Sequence, residues 1–177
     1  MPLVFGDGNE NSKIVLVGEA PGKTEVEQGK PFVGQAGKNL EEFINILGIK
    51  REDLYITNVV KFRPFKVNPN TGRESNRTPI KDEIRISTDF IEHELSIIRP
   101  KLVVSLGNIA LRCILKDSKV TIGVMHGNPI NVKFAKAEFI LFPLYHPASI
   151  IYNRGLRDVY LQDLIKLRDY LNREKLL

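Results

Sequence analysis

Short apolar runs alternate along this chain with segments whose apolar residues recur at helical spacing. That alternation confines it to a mainly parallel sheet with helices packed on both faces. The first run, Lys13–Val17, is entered from Asp7, Gly8 and Asn11 and left through Gly18; Leu54–Val60 and Leu102–Leu106 are the second and third. Between the first two, Leu40, Phe43, Ile44 and Leu47 stand at i, i+3, i+4 and i+7, and Gly48 is placed to end a helix. Between the second and third, Ile80, Ile84, Ser87, Ile91, Leu95 and Ile98 form a stripe with Ser87 its one polar member. Thr78 is placed to cap that helix, Pro79 to open it, Asp82 and Glu83 to face its positive end, and Pro100 to close it. Asn108 is expected to cap a third helix reaching Leu115. Gly127–Phe134 and Glu138–Leu144 are two more extended runs, and Tyr160, Leu164, Leu167 and Leu171 mark a last helix. No repeat, linker or low-complexity tract intervenes, so residues 1–177 are expected to form one domain that buries about 70% of its unfolded surface.

Several classes of protein are excluded. A lone cysteine, Cys113, rules out an intramolecular disulfide and every multi-cysteine metal site, and His93, His126 and His146 leave little for a zinc centre. No run approaches the ~20 apolar residues of a membrane span. The start, Met1-Pro2-Leu3-Val4-Phe5, lacks a basic region followed by a long apolar one. The expectation is a cytoplasmic protein without a membrane partner.

The 26 Lys and Arg exceed the 21 Asp and Glu by five, and the excess is concentrated. Lys61, Arg63, Lys66, Arg73, Arg77 and Lys81 face only Glu74 within one segment, which also carries Pro64, Pro69, Gly72 and Pro79. It reads as a long exposed loop, either simply solvated or turned toward phosphates.

Ligands of parallel sheets bind at loops leaving the carboxyl ends of strands. Three loops qualify: Gly18 to Gly34, Asn58 to Thr78, and Tyr145 to Gly155. The first, with its glycines ahead of a helix, has the composition of a phosphate loop, but its spacing is neither that of Walker A nor that of the dinucleotide fingerprint. Phe32, taken alone, would more often be a core residue.

In order along the chain stand Gly18-Glu19-Ala20-Pro21-Gly22, Gly29-Lys30-Pro31-Phe32-Val33-Gly34-Gln35-Ala36-Gly37, Thr57-Asn58-Val59-Val60-Lys61, Arg99-Pro100-Lys101 leading into Leu106-Gly107, and Tyr145-His146-Pro147-Ala148-Ser149. This set resembles the family 4 uracil-DNA glycosylases from about Val4 to Leu171. The resemblance implies a three-layer α/β/α sandwich around a mainly parallel four-stranded sheet. It also implies a monofunctional enzyme of base excision repair that removes uracil from single- or double-stranded DNA and leaves an abasic site.

Residue chemistry agrees with that activity. A base inside a duplex has to be swung out of the stack to be attacked, and Phe32 can supply the face on which it rests. Asn58 can donate to uracil O4 and accept from N3–H, a polarity that cytosine reverses; the same residue could also simply end a strand. The resemblance makes His146 the donor to uracil O2 and Asn76 the holder of the attacking water. Ala20 stands where other branches of the superfamily place an Asp, so direct carboxylate activation is not expected, and Glu19 is read as orienting His146 or Asn58. Glu25 is either a pocket residue near uracil C5 that excludes thymine's methyl or a solvated carboxylate. Toward DNA, Ser149, Arg154, Arg157, Lys66, Arg73 and Arg77 are candidate phosphate contacts. Ile150 or Ile151 is either the wedge that fills the vacated stack or a cap on the core.

Two departures from the family stand out. Its members usually hold an iron-sulfur cluster on four cysteines. Two lie ahead of the Val-Phe-Gly-x-Gly stretch that this sequence enters directly from Met1, and the other two correspond to Phe62 and Ser87. A cluster-free, cofactor-free enzyme, prokaryotic and monomeric, is expected, with Phe62 filling vacated space. The second departure is an insertion, Phe65 to Ser75, carrying Lys66, Arg73 and Asn70. Other readings are a glycosylase for a different deaminated base such as hypoxanthine, and a DNA- or nucleotide-binding module without catalysis. A paired-carboxylate carbohydrate hydrolase fits less well, for want of a sugar-stacking Trp.

Overall fold

The computed structural model of the chain describes residues 2–153 and 155–176, the side chains of Ile151 and Tyr152 excepted. Its elements are β1 (Asp7–Gly8), β2 (Ile14–Gly18), α1 (Lys23–Gln28), α2 (Gln35–Leu47), β3 (Tyr55–Asn58), β4 (Phe65–Val67), β5 (Glu74–Asn76), α3 (Lys81–Ile98), β6 (Leu102–Leu106), α4 (Asn108–Leu115), α5 (Ile122–Met125), β7 (Ile130–Phe134), β8 (Ala137–Leu144), α6 (Ser149–Tyr152) and α7 (Leu156–Arg173).

One sheet runs in the order β1-β3-β2-β6-β8-β7. The four inner strands are mutually parallel, as expected, with Val15 beside Tyr55 and Val103, and Val103 beside Leu141. Short antiparallel strands β1 and β7 extend it to six at the edges. Side chains of a strand alternate between faces, and the core divides accordingly. Ile14 and Leu16 join Leu40, Phe43 and Ile44 of α2 and Leu164, Leu167 and Leu171 of α7. Val15 and Val17 join Ile91 and Leu95 of α3 and Leu111 and Ile114 of α4. Helices therefore cover both faces in three layers, as the resemblance implied. Among the described residues no helix is long and apolar enough to cross a membrane.

Several local expectations are corrected. The run Leu54–Val60 yields a strand only over Tyr55–Asn58, because its partner β2 ends at Gly18; the Val59 and Val60 N–H groups then donate to the carbonyls of Gly18 and Glu19 outside the ladder. Thr78 does not cap α3. Ile80 is the N-cap, its N–H donating to the Glu83 carboxylate at 2.8 Å, and its side chain is 57% exposed rather than part of the stripe. Asn108 is the first residue of α4 after an N-cap at Gly107, and its Oδ1 accepts from Ile122 N–H. The basic segment is not one open loop, since β4 and β5 pair within it as an antiparallel hairpin.

Candidate active site

Strands β2, β3 and β8 run parallel, so their carboxyl ends, Gly18, Asn58 and Leu144, open onto one edge of the sheet. There a cleft of about 370 Å³ is lined by Ala20, Glu25, Phe32, Asn58, Asn76 and His146, among others.

Gly18 makes the floor possible. A Cβ on it would overlap Asn58 Oδ1 and the Phe32 ring, so only glycine lets both reach the strand end. Phe32 sits at φ 53°, a left-handed conformation of order 1–3 kcal/mol above an ordinary one for a residue with a side chain. Its surroundings hold it there: Arg51 donates to the Pro31 carbonyl at 2.7 Å, and Gly37 gives the Phe32 carbonyl room that any Cβ would fill. The ring is buried and stacks near His146, with centroids 5.8 Å apart and 26° between planes.

Asn58 is 2% exposed. Its carbonyl accepts from Lys61 Nζ at 2.7 Å, and that ammonium also bonds Thr57 Oγ1 and the Glu94 carboxylate. Burial pulls the Lys61 pKa down while Glu94 pushes it up, the net direction being downward. The backbone is thus anchored, and the carboxamide has no hydrogen-bond partner among the described residues, leaving its donors and acceptor to the cleft.

His146 accepts at Nδ1 from Ala148 N–H, 3.1 Å away. Burial pushes its pKa down to about 4, so near neutral pH the imidazole is uncharged. A neutral ring whose Nδ1 accepts carries its single proton on Nε2. His146 is therefore a fixed N–H donor.

The carboxylate of Glu25 lines the cleft and is not a freely solvated group. It accepts from Gly22 N–H at 3.1 Å and Gly34 N–H at 2.7 Å, clamping the two glycine segments together. Glu19 was expected to orient His146 or Asn58, but it bonds neither. It lines an adjoining cleft of about 450 Å³ that shares Ala20, Asn76, His146 and Ala148 with the first. Desolvation raises its pKa, and no hydrogen bond offsets that. Asn76, on β5, lies on the wall between the clefts, its Oδ1 accepting from Arg63 Nε at 2.7 Å.

The outer candidates divide. Lys66 and Arg73 are exposed on the hairpin. Arg77 is held by Glu83 through two 2.7 Å bonds and by the Phe65 carbonyl, so its guanidinium is an anchor and not an open phosphate contact. Arg157 pairs with Glu42 at 3.3 Å. Ser149 opens α6, its N–H donating to the His146 carbonyl, and Ile150 packs against the core as a cap would. Arg154 and the Ile151 side chain lie outside the described residues.

The side chains present do not suit an iron-sulfur cluster. Phe62 packs against the α3 side of the core, Ser87 is 1% exposed, and neither supplies a thiolate. Cys113 is buried on α4, and among the described residues no three His, Cys, Asp or Glu side chains converge as metal ligands.

Sequence reasoning missed Arg63, the Lys61–Glu94 pair and the close approach of Gly107 to His146, 3.3 Å from a Cβ built on that glycine to His146 Cβ. The two bases follow directly on the end of β3, a placement that could have marked them as site supports.

Comparison with known sequences agrees with the geometry. The sequence model of the uracil DNA glycosylase superfamily matches residues 5–167. The type-4 uracil-DNA glycosylase of Thermotoga maritima is 40% identical over 174 residues, 97% of this chain and 84% of that one. Those of Sulfurisphaera tokodaii and Archaeoglobus fulgidus are each 39% identical, over 94% and 97% of this chain and 73% and 83% of theirs.

Proposed function

Since this chain belongs to the uracil DNA glycosylase superfamily, we infer that it excises uracil from DNA by hydrolysing the N-glycosidic bond, with no covalent DNA intermediate. The observation that carries this reading is the convergence on one cleft of an apolar ring, an unpartnered carboxamide and a neutral imidazole N–H donor.

The barrier is one of charge. As the C1′–N1 bond breaks, its electron pair leaves with uracil and collects on O2, while the sugar becomes cationic. Water then adds its oxygen to C1′, and the proton it loses neutralises the departed uracil anion. A preorganised donor at the developing oxyanion typically contributes about 2.7–4 kcal/mol, and His146 Nε2–H is our assignment for it. Uracil rests on Phe32, and Asn58 donates to O4 and accepts from N3–H. Cytosine would leave both ends mispaired, at about 1–3 kcal/mol per unsatisfied group. We assign the adjoining cleft to the sugar. Glu19, when ionised, stabilises the sugar's positive charge there, and Asn76 on the shared wall holds the water. Thymine exclusion we assign to Glu25, which lines the cleft, together with the glycine segments it clamps.

Incubating the protein with oligonucleotides carrying U, hypoxanthine or T, then treating with alkali, tests the reading. Scission at U alone is expected. Scission at hypoxanthine instead would move the assignment to another base, and retained DNA binding without scission would make the chain a binding module.

We propose further that the enzyme works without an iron-sulfur cluster, given the donor chemistry at Phe62 and Ser87; iron or visible-range cluster absorbance in purified protein would refute this. We also propose that it acts as a monomer in the cytoplasm. The exposed Lys66 and Arg73 are our candidates for phosphate contacts. Replacing both with Gln should lower the slope of log affinity against log salt by about 1–2. An unchanged slope removes them from the interface.

A further inference from the structure

The geometry points to Arg63 as a positioning residue that sets which end of the Asn76 carboxamide meets the attacking water. This rests on the glycosylase reading and deepens it. Asn76 belongs to an exposed three-residue strand, where a carboxamide would ordinarily turn over freely. Here Oδ1 accepts from Arg63 Nε at 2.7 Å. A guanidinium has donors only, so the atom facing it has to be the oxygen. The other end, Nδ2, is thereby turned to the glycine loop, 3.1 Å from where a Cβ on Gly22 would stand.

Arg63 is itself immobilised. It is 9% exposed, its NH1 group donates to Glu74 Oε2 at 2.7 Å, and its guanidinium lies over the Phe65 ring with the central carbon 5.3 Å from the centroid. Glu74 and Asn76 are two apart on β5, hence on one face, so the relay Glu74–Arg63–Asn76 closes within the hairpin. A bond from Arg77 N–H to the Pro64 carbonyl at 3.0 Å ties the hairpin's base. Asn76 accordingly offers N–H donors to the water and orients it without removing its proton. That suits a nucleophile meeting a sugar already cationic.

Single-turnover uracil release and affinity for abasic product DNA would be measured for the wild type, Arg63→Ala, Arg63→Lys, Glu74→Gln, Asn76→Ala and the Arg63→Ala/Asn76→Ala double variant. Misplacing the carboxamide should slow release by about 10- to 100-fold in Arg63→Ala, with affinity changed less than about twofold. Arg63→Lys and Glu74→Gln should slow it less, in the same direction, and they carry the test if thermal unfolding shows Arg63→Ala misfolded. The double variant should be no slower than Asn76→Ala, because Arg63 acts only through that side chain. Wild-type rates in Arg63→Ala or Asn76→Ala, or a double variant slowed by both factors multiplied, would overturn the assignment. A wild-type protein that releases no uracil removes the glycosylase reading itself, a different outcome read in the same assay.

Discussion

Replacing His146 with alanine slows single-turnover uracil release by about 100- to 1,000-fold, the range for losing one preorganised oxyanion donor. Affinity for uracil-containing DNA falls far less, because the ring's contribution is made as charge gathers on O2. The pH dependence separates this donor from a general acid. With its pKa pushed down to about 4, the imidazole stays neutral through the physiological range. No rate limb near pH 6.5 should therefore trace to His146, and one that disappears in His146→Ala would sink the neutral-donor assignment. Stability follows the same linkage. The unfolded chain binds this proton near pH 6.5 and the folded chain only near 4. The contribution of burying a neutral ring is thus fully present above 6.5 and is lost as pH falls toward 4. Urea unfolding at pH 7 and pH 5 reads it, since His146→Ala should destabilise less from one pH to the other than the wild type does.

Asn58→Ala lowers uracil release by about 100- to 1,000-fold, because both hydrogen bonds that read the base disappear, at about 1–3 kcal/mol each. Discrimination between uracil and cytosine should collapse with it. Rates on U- and C-containing oligonucleotides, measured side by side, check both effects. An unchanged rate on uracil would show that the unpartnered carboxamide does not grip the base. Because Lys61 holds the backbone carbonyl of Asn58 and not its side chain, the substitution leaves the strand end anchored.

Much of this arrangement is legible in the sequence. The stripes of α2 and α7 depend only on helical spacing, and Leu40, Phe43, Leu164 and Leu171 are all fully buried. The parallel strands brought the Phe32, Asn58 and His146 loops to one edge, as alternation of strands and helices requires. Ion pairing was not legible, since separations of 6, 11 and 33 residues share no helical or strand period. Lys61 found Glu94, Arg63 found Glu74 and Arg77 found Glu83, so three of the six bases in that segment are paired locally. Glu83 also explains why Thr78 lost the cap, for it supplies the acceptor that Ile80 N–H needs. The sequence leaves Glu25 open between a pocket residue and a solvated carboxylate, and only folding shows both its oxygens bound to backbone. Glu19 shares the adjoining hollow with His146 without bonding it, a distinction that composition cannot show.

The hairpin neutralises its charges at the root, through Arg63–Glu74 and Arg77–Glu83, and farther out Lys66 and Arg73 have no ion-pair partner among the described residues. Such an arm is modular. On the proposed phosphate contacts, lengthening, recharging or exchanging its tip would retune how long the enzyme lingers on a strand, while the root would continue to hold Asn76 in register.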